Sequence, residues 1–560
     1  MGAGMKGKPG KVDDSDYGLG MKREIIEMAA PVAGRWGAFM AHYKNPVIPG
    51  FYPDPSICRK GEDYYLVNSS FEYFPGIPLF HSRNLVQWEQ IGHVLTRKTQ
   101  AVLDNCPASG GIWAPTIRYQ EGRFYVSATN FSHGGNFFVW TDDIYGEWSE
   151  PVWVSQGGID PSLFFDDDGC VYFASTYDLP DGQAIGQCRI DIKSGERLSE
   201  TRIIWEGSGG KYPEGPHMFR KNGWYYLMAA EGGTEYGHMV TIARGKSPWG
   251  PFQSCPGNPI LTHRDTMLHH FQAVGHGDMV DTPDGDTWIV FHGIRTTQYM
   301  LHHLGRETML APVAWNEEGW PVVNDGRPIL EDMEGVRLQE EAQNGSGEIK
   351  TGNANAKTGE EDEKCEGDFF DKELPVRWNY LRNPDMSKYS LTQRPGWLKL
   401  TGSDAKLDDL ASPTFAGRRQ QHFDMTASVW LETEPEGEED AAGLTVFHTN
   451  EHHYDLMVTK REGKRCAVLR KRVGDMETES RPLFLQEKGA LLLRVSSDKL
   501  EYRFFAGKDE NSLKPLGSGR TQLLSTECMV MTFTGCYVGV FAEGACSGWF
   551  HGFEYRPGQN

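Results

Sequence analysis

The sequence predicts an all-β protein with a five-bladed β-propeller followed by a C-terminal β-sandwich of jelly-roll type. Three observations predict this fold class. A short sequence motif occurs five times before residue 325, each time ahead of a strand-like run. After residue 369, many short segments alternate apolar and polar residues, as strands do when one face is buried. Aromatic residues make up 12% of the chain, and they favour strands.

The recurring motif lies at the start of each predicted blade. Each copy contains a short apolar strand, a turn with glycine, and then a strand rich in aromatic and β-branched residues, which is a hairpin signature. The copies lie 60, 46, 55 and 61 residues apart when they are marked at Asp54, Ala114, Asp160, Gly215 and His276. This period predicts stacked units, and several short strands per unit fit propeller blades. The first strand of a blade lies innermost, so we expect the five marks to converge at the axis.

Changes in composition predict four regions. Residues 1–40 form an N-terminal extension, residues 41–332 the propeller, residues 333–368 an acidic linker or insertion, and residues 369–560 the sandwich. The linker is rich in Glu, Asn, Gly, Lys and Thr, which bury too little apolar surface to form a core. Six segments predict sandwich strands: 427–431, 443–447, 454–458, 491–495, 502–505 and 537–541.

Charge and composition limit the partners. The net charge of −21 over 560 residues argues against nucleic acid and anionic membranes, and it is compatible with a small neutral oligosaccharide. The ten cysteines include no C-x-x-C pair, so we expect no zinc site and no required cofactor.

No apolar run is long enough to span a bilayer. The N-terminus lacks the apolar region of a signal peptide, which predicts a cytoplasmic protein, with secretion as the alternative if the start site is wrong. A homo-oligomer is compatible with the sequence.

Three of the five copies of the motif have a carboxylate at or next to the marked residue, namely Asp54, Asp160 and Glu214. Acids gathered at one axis shift one another's pKa values, which suits an active site and not a scaffold. Two facing carboxylates are the minimal equipment for hydrolysis of a glycoside. The prolines flanking Asp54 predict a stiff, extended backbone, which favours Asp54 as the general base. Glu214 has the longer reach and a semi-apolar setting that raises its pKa, so we assign it as the acid, with Asp160 as the modulator of its pKa.

Two other classes of protein compete with this interpretation. A non-catalytic, carbohydrate-binding propeller would use the same aromatic surfaces without needing three acids at equivalent positions. A retaining propeller enzyme acting on fructans or sialosides would form the other anomer first, because retention contradicts a base-activated water.

The sequence motifs also resemble those of a known family. Together and in this order they are similar to glycoside hydrolase family 43, in particular to its two-domain β-xylosidase and α-L-arabinofuranosidase branch. The resemblance covers residues 41–325 strongly and the C-terminal domain more loosely. The segments that carry it are 45–56, 70–76, 158–163, 214–217 and 304–308.

The resemblance implies an inverting mechanism on a five-bladed propeller. It implies that Asp54 is the general base, Asp160 the pKa modulator and Glu214 the general acid. It further implies that Arg306 binds substrate hydroxyls and pairs with the catalytic carboxylates.

The resemblance also implies a sugar-binding pocket. His276 matches a histidine on the propeller axis that in some members lies beside a calcium ion or a water molecule, which leaves a structural calcium open. Phe533 matches an aromatic side chain that the sandwich contributes to the pocket rim. The other residues that match positions lining the pocket are Phe71, Trp113 and Thr234.

A pocket closed at one end favours removal of a terminal sugar. We therefore expect an exo-acting β-xylosidase that releases xylose from β-1,4-xylooligosaccharides, and that also accepts terminal α-L-arabinofuranose. A primary α-L-arabinofuranosidase is the alternative, because the two sugars present similar hydroxyls and a pocket separates them poorly. The expected substrate is a xylooligosaccharide, with or without arabinosyl branches.

Overall fold

The computed structural model describes six ranges of the chain, all within one compact unit that spans Met40–Asn560. The described residues are 41–266, 268–336, 368–369, 373–486, 488–530 and 532–558. The predicted N-terminal extension and most of the predicted acidic linker lie outside them. Within the described residues, no helix has the length and apolar composition needed to cross a bilayer.

The first part of the chain contains five antiparallel sheets of consecutive strands, as the repeat predicts. The sheet orders are β2-β3-β5-β6, β7-β8-β9-β10, β11-β12-β13-β14, β15-β16-β17-β18 and β20-β21-β22-β23, and β19 also pairs with β17. The strands are β1 (Ala41–Lys44), β2 (Ser56–Lys60), β3 (Asp63–Val67), β4 (Tyr73–Phe74), β5 (Gly76–Ser82), β6 (Glu89–Leu95), β7 (Ile112–Gln120), β8 (Arg123–Asn130), β9 (Gly135–Thr141), β10 (Val152–Trp153), β11 (Ser162–Phe165), β12 (Val171–Leu179), β13 (Gly182–Ile190), β14 (Arg202–Trp205), β15 (Glu214–Lys221), β16 (Trp224–Glu231), β17 (Met239–Gly245), β18 (Gln253–Ser254), β19 (Leu261–Thr262), β20 (Phe271–Asp281), β21 (Thr287–Arg295), β22 (Glu307–Trp315), β23 (Pro321–Val323) and β24 (Asp332–Val336).

The five-bladed propeller predicted from the sequence is confirmed. Its two ends are tied together, because β1 pairs with β24 immediately after the fifth blade. β24 therefore extends a few residues into the stretch that composition assigns to the linker. The carboxylate of Asp278, on β20 of the last blade, accepts a hydrogen bond from Ser56 Oγ of the first blade at 2.7 Å and joins the ring internally.

The five marked residues share one backbone conformation. Their φ angles are all positive, at 53° for Asp54, 36° for Ala114, 58° for Asp160, 56° for Gly215 and 45° for His276. In the second, fourth and fifth blades the pairing register shifts at this point, as it does at a β-bulge. The prediction of an extended backbone at Asp54 is wrong, because the left-handed residue turns the chain into the innermost strand, and Asp tolerates that conformation.

The C-terminal part is a two-sheet sandwich. One sheet has the order β33-β32-β31-β30-β38-β28-β25-β4 with β34 paired to β32, and the other has the order β26-β27-β39-β29-β35-β36-β37. All six predicted segments fall within its strands. The strands are β25 (Trp378–Leu381), β26 (Tyr389–Ser390), β27 (Trp397–Thr401), β28 (Thr414–Arg419), β29 (Met425–Glu432), β30 (Ala441–Thr449), β31 (His452–Arg461), β32 (Lys464–Val473), β33 (Met476–Glu479), β34 (Leu483–Phe484), β35 (Leu491–Ser497), β36 (Glu501–Gly507), β37 (Lys514–Arg520), β38 (Tyr537–Glu543) and β39 (Ser547–Pro557).

Helical structure among the described residues is confined to short 3₁₀ turns. They are Gln298–Met300, Asn324–Gly326, Met386–Lys388, Glu510–Ser512, Thr521–Leu524 and Thr526–Cys528.

The sandwich is joined to the propeller through backbone and buried arginines. Strand β4 of the first blade pairs with β25, so a propeller segment forms the edge of a sandwich sheet. Arg419, which is 2% exposed, donates from Nε to the carbonyl of Phe51 at 2.6 Å and from Nη1 to Asn379 Oδ1 at 2.7 Å. Arg382, also buried, donates from Nε to the carbonyl of Cys106. Arg419 thus fixes the segment that leads directly into Asp54.

We expect Arg419→Ala to lower the free energy of unfolding by about 3 kcal/mol, because it removes the donor to the buried carbonyl of Phe51 and leaves Asn379 Oδ1 only the longer hydrogen bond from Tyr537 Oη. It should also lower kcat/KM, since Phe51 is three residues from Asp54. Urea unfolding and steady-state kinetics measure the two effects. Arg503→Ala, at an exposed ion pair on β36, is the control and should change neither. Equal effects of the two variants would contradict the assignment.

Candidate active site

The structure brings the three predicted acids into one buried site at the axis. Asp54 and Asp160 occupy the left-handed positions of the first and third blades, and Glu214 begins β15 of the fourth. The backbone N–H of Gly215 donates to Oδ2 of Asp160 at 3.1 Å, which joins the third blade to the fourth. Asp54 interacts electrostatically with both other carboxyls.

Asp54 is held in its ionised form. Its Oδ1 accepts a hydrogen bond from Arg306 Nη1 at 2.6 Å, and its Oδ2 accepts one from Ser69 Oγ at 2.6 Å. His292 Nδ1 lies 3.1 Å from Oδ1. Burial alone would raise the pKa of Asp54, but Arg306, followed by the two histidines His292 and His276, outweighs burial and holds that pKa well below its usual value.

Asp160 and Glu214 have the opposite electrostatic setting. Burial, and then the charge of Asp54, raises the pKa of Glu214 to about 7, although Arg306 opposes this shift. Burial and the charges of Glu214 and Asp54 also raise the pKa of Asp160 well above its usual value, against the N–H of Gly215 and the charge of Arg306. The two carboxyls therefore retain a proton between them near neutral pH.

Gly215 allows this arrangement because it has no side chain. A Cβ added there would lie 2.9 Å from Nε2 of His276, and the φ of 56° is itself unfavourable for a larger residue. The imidazole of His276 is thus packed directly under the backbone next to Glu214. Its Nδ1 lies 3.7 Å from Asp54 Oδ1, so His276 borders both acids.

Aromatic side chains form a wall beside Arg306. The ring centroids of Phe71 and Trp113 are 6.0 Å apart, and that of Phe533 lies 6.3 Å from Phe71 and 5.7 Å from Trp113. The guanidinium carbon of Arg306 is 5.8 Å from the Phe71 centroid and 5.9 Å from that of Phe533. Phe533 belongs to the sandwich, so both domains contribute to the wall.

The sandwich segment that carries Phe533 is anchored to the propeller on both sides. Glu527 accepts a hydrogen bond from the backbone N–H of His302 at 3.0 Å and another from Tyr236 Oη at 3.0 Å. At the other end, the N–H of Cys536 donates to the carbonyl of His303 at 2.8 Å. Phe533 is consequently held at a fixed position against the site.

Sequence reasoning missed three residues that organise the site. Ser69 accepts the N–H of Ala114 while it donates to Asp54. Ser109 accepts the indole N–H of Trp113 at its carbonyl, at 2.9 Å, and the N–H of Phe533 at its Oγ, at 2.8 Å. His292 is the third. No pattern marks a lone serine or histidine, because these contacts depend on residues far apart in the chain.

Two of the features predicted for the pocket, Thr234 and a calcium ion beside His276, have less structural support than the others. Thr234 lies in the turn between β16 and β17, half-buried, and within the described part of the chain it hydrogen-bonds to none of the site residues. The surroundings of His276 do not fit a calcium ion, which takes about six to eight oxygen ligands. Its neighbours are two further imidazoles and a carboxylate engaged by Arg306. Over the described ranges, no cluster of three His, Cys, Asp or Glu side chains is placed to hold a metal.

The fold and the site together define a glycoside hydrolase. A propeller axis that carries one carboxyl with a lowered pKa and a second, interacting carboxyl with a raised pKa, beside an arginine and an aromatic wall, has the parts needed for acid–base cleavage of a glycosidic bond. This arrangement favours catalysis over the non-catalytic alternative.

The chain belongs to glycosyl hydrolases family 43. The profile of that family matches residues 43–321, and the profile of the β-xylosidase C-terminal concanavalin A-like domain matches residues 366–556. The chain is 40% identical over 507 residues to a non-reducing-end α-L-arabinofuranosidase of Bacteroides ovatus, covering 90% of this chain and 91% of that protein. It is 37% identical over 521 residues to a xylosidase/arabinosidase of Butyrivibrio fibrisolvens, covering 89% and 95%. The crystal structure of a xylan β-1,4-xylosidase from Bacillus halodurans superposes with a TM-score of 0.84 at 32% identity, covering 92% and 100%.

We expect Gly215→Ala to lower kcat/KM by about 10²-fold, because the added methyl group pushes His276 and the backbone next to Glu214 apart. Gly223→Ala is the matched control. It also has a positive φ, at 75°, but a Cβ there would meet no atom within 4 Å. Both variants carry the backbone strain, so only Gly215→Ala should lose activity in steady-state kinetics. Similar losses would show that strain alone is responsible.

Proposed function

We propose that the protein is an inverting, exo-acting β-xylosidase that releases terminal xylose from β-1,4-xylooligosaccharides. Asp54 is the general base, Glu214 the general acid, and Asp160 keeps Glu214 protonated. Arg306 binds the substrate and holds Asp54 ionised. The observation that carries the proposal is the opposite displacement of two pKa values in one buried site, low for Asp54 and about 7 for Glu214.

The chemistry follows from these protonation states. Asp54 removes a proton from a water molecule, whose oxygen attacks the anomeric carbon. Glu214 gives its proton to the glycosidic oxygen as the bond to the anomeric carbon breaks, so the leaving sugar departs as a neutral alcohol. The N–H of Gly215 opposes the rise in the pKa of Asp160, and we propose that the proton shared by the two carboxyls is the one that Glu214 donates.

The aromatic wall supports exo action. Phe71 and Trp113 from the propeller and Phe533 from the sandwich close the side of the site next to Arg306. We propose that the wall limits the site to one terminal sugar beside the carboxyls, so that the rest of the substrate leaves toward solvent. Removal of one terminal sugar is the reaction that fits this geometry.

α-L-Arabinofuranosidase activity is the second candidate. The Bacteroides ovatus relative, at 40% identity over 507 residues, is named as such an enzyme. Terminal arabinofuranose and xylose present similar hydroxyls, and a difference of one group typically changes transition-state binding by about 1–3 kcal/mol. We therefore propose that this site also accepts terminal arabinofuranose.

Substitution of the two acids tests the assignment. Asp54→Asn should lower kcat/KM by about 10²- to 10⁴-fold on both xylobiose and p-nitrophenyl β-D-xyloside, because both need an activated water. Glu214→Gln should affect xylobiose far more, since p-nitrophenolate leaves without a proton. Glu317→Gln, at an exposed acid, is the control. Equal losses on both substrates for Glu214→Gln would refute its role as acid. Wild-type rates on p-nitrophenyl α-L-arabinofuranoside measure the second activity.

The pH profile tests Asp160. In the wild type, kcat/KM should fall as the pH rises through about 7, because Glu214 must be protonated. On the acid side it should persist until the pH falls to the depressed pKa of Asp54. Asp160→Asn removes a like charge, so the alkaline limb should move to lower pH. Asp178→Asn, exposed on the same blade, should leave both limbs in place. An unmoved limb in Asp160→Asn would exclude the modulating role.

A further inference from the structure

Phe131 is an exposed aromatic residue at the edge of the active site. It follows β8 in the tight connection to β9, and 56% of its surface is accessible. Its ring stacks on that of Trp113 with a centroid distance of 4.0 Å and an interplanar angle of 2°. Three rings contact Trp113 among the described residues, and Phe131 is the one most open to solvent.

The position of Phe131 is fixed before any substrate binds. Its backbone N–H donates to the carbonyl of Gly111 at 2.7 Å. The turn that carries it is closed by Asn130, whose Oδ1 accepts the N–H of His133 at 3.0 Å and whose Nδ2 donates to the carbonyl of Val102 at 3.0 Å. Trp113, on the other side of the stack, is held through its indole N–H by Ser109. A ring ordered in this way offers a rigid surface with little loss of entropy on binding.

Phe131 therefore extends the aromatic wall outward. Phe71 is buried next to Arg306, Trp113 is half-buried, and Phe131 continues the series to the surface. A substrate whose terminal sugar lies beside the carboxyls must pass its next sugar toward solvent. Among the described rings that contact Trp113, Phe131 is the one through which the wall reaches the surface.

We propose that Phe131 is the platform for the sugar on the leaving-group side, and that it sets the preference for oligosaccharide leaving groups. This inference rests on the proposed function. The C–H groups on one face of a pyranose carry partial positive charge and pack against the negative face of an aromatic ring. Phe131 acts by binding the leaving sugar and takes no part in the proton transfers.

The test compares a leaving sugar with a leaving group that has none. Xylobiose places a xylose on Phe131, whereas β-D-xylosyl fluoride loses only fluoride. Phe131→Ala should lower kcat/KM for xylobiose about five- to ten-fold and leave that for the fluoride unchanged. Phe131→Leu, which keeps apolar contact with Trp113, should show the same selective loss, and Phe131→Tyr should restore activity on xylobiose. Phe484→Ala, at an exposed phenylalanine on β34, is the matched control.

Each outcome decides the inference. A selective loss on xylobiose that Phe131→Tyr restores supports the platform. Equal losses on both compounds, or no loss on either, overturn it, and melting temperatures separate a folding defect from both. Wild-type protein inactive on xylobiose refutes the proposed xylosidase, and arabinosyl-xylobiose with α-L-arabinofuranosyl fluoride then tests Phe131 in the same way. Inactivity on all four compounds refutes both proposals.

Discussion

The site depends on one guanidinium group placed near three carboxyls at the propeller axis. Arg306 is 6% exposed, and its charge lowers the pKa of Asp54, Asp160 and Glu214 alike. Only Asp54 has a hydrogen bond to it, and this direct contact outweighs the desolvation of that carboxyl. For Asp160 and Glu214, burial raises the pKa more than the arginine lowers it, so the two carboxyls together retain one proton. One cation thus divides identical functional groups into a base and an acid.

The sequence predicts the ring of blades because the repeat is a consequence of geometry. Each blade has a residue with positive φ just before its innermost strand, as in Asp54 and Asp160, or at a bulge within that strand, and the five marked positions are those residues. Ala114 is the least favourable of them, since alanine lacks the polar side chain that helps Asp adopt this conformation. The prolines around Asp54 predict an extended backbone, but the tertiary structure of the blade imposes a positive φ at Asp54 instead. The acids are predictable for the same reason, since they lie at or next to the repeated position.

The parts that the sequence does not reveal are held by contacts between distant residues. Ser109 joins Trp113 of the propeller to Phe533 of the sandwich, 424 positions later in the chain. The ring of Phe131 stacks on that of Trp113, and no periodicity in the sequence indicates this contact. The resemblance to a family indicated Phe533 and Arg306, but it did not indicate Ser109, which holds Phe533, or the Ser69 and His292 side chains that contact Asp54. Local patterns therefore locate the chemistry, and long-range packing determines its shape.

The strand shared between the two domains has a consequence for how such a protein can change over evolution. Strand β4 of the propeller completes a sandwich sheet, and Arg419 from that sheet hydrogen-bonds to the backbone just before Asp54. Each domain therefore depends on the other to complete its structure. The C-terminal half is thus poorly suited to gene shuffling as an interchangeable accessory, unlike modules tethered by a loose linker. Lineages that diverge in one half must compensate in the other, so the two halves should have been inherited together.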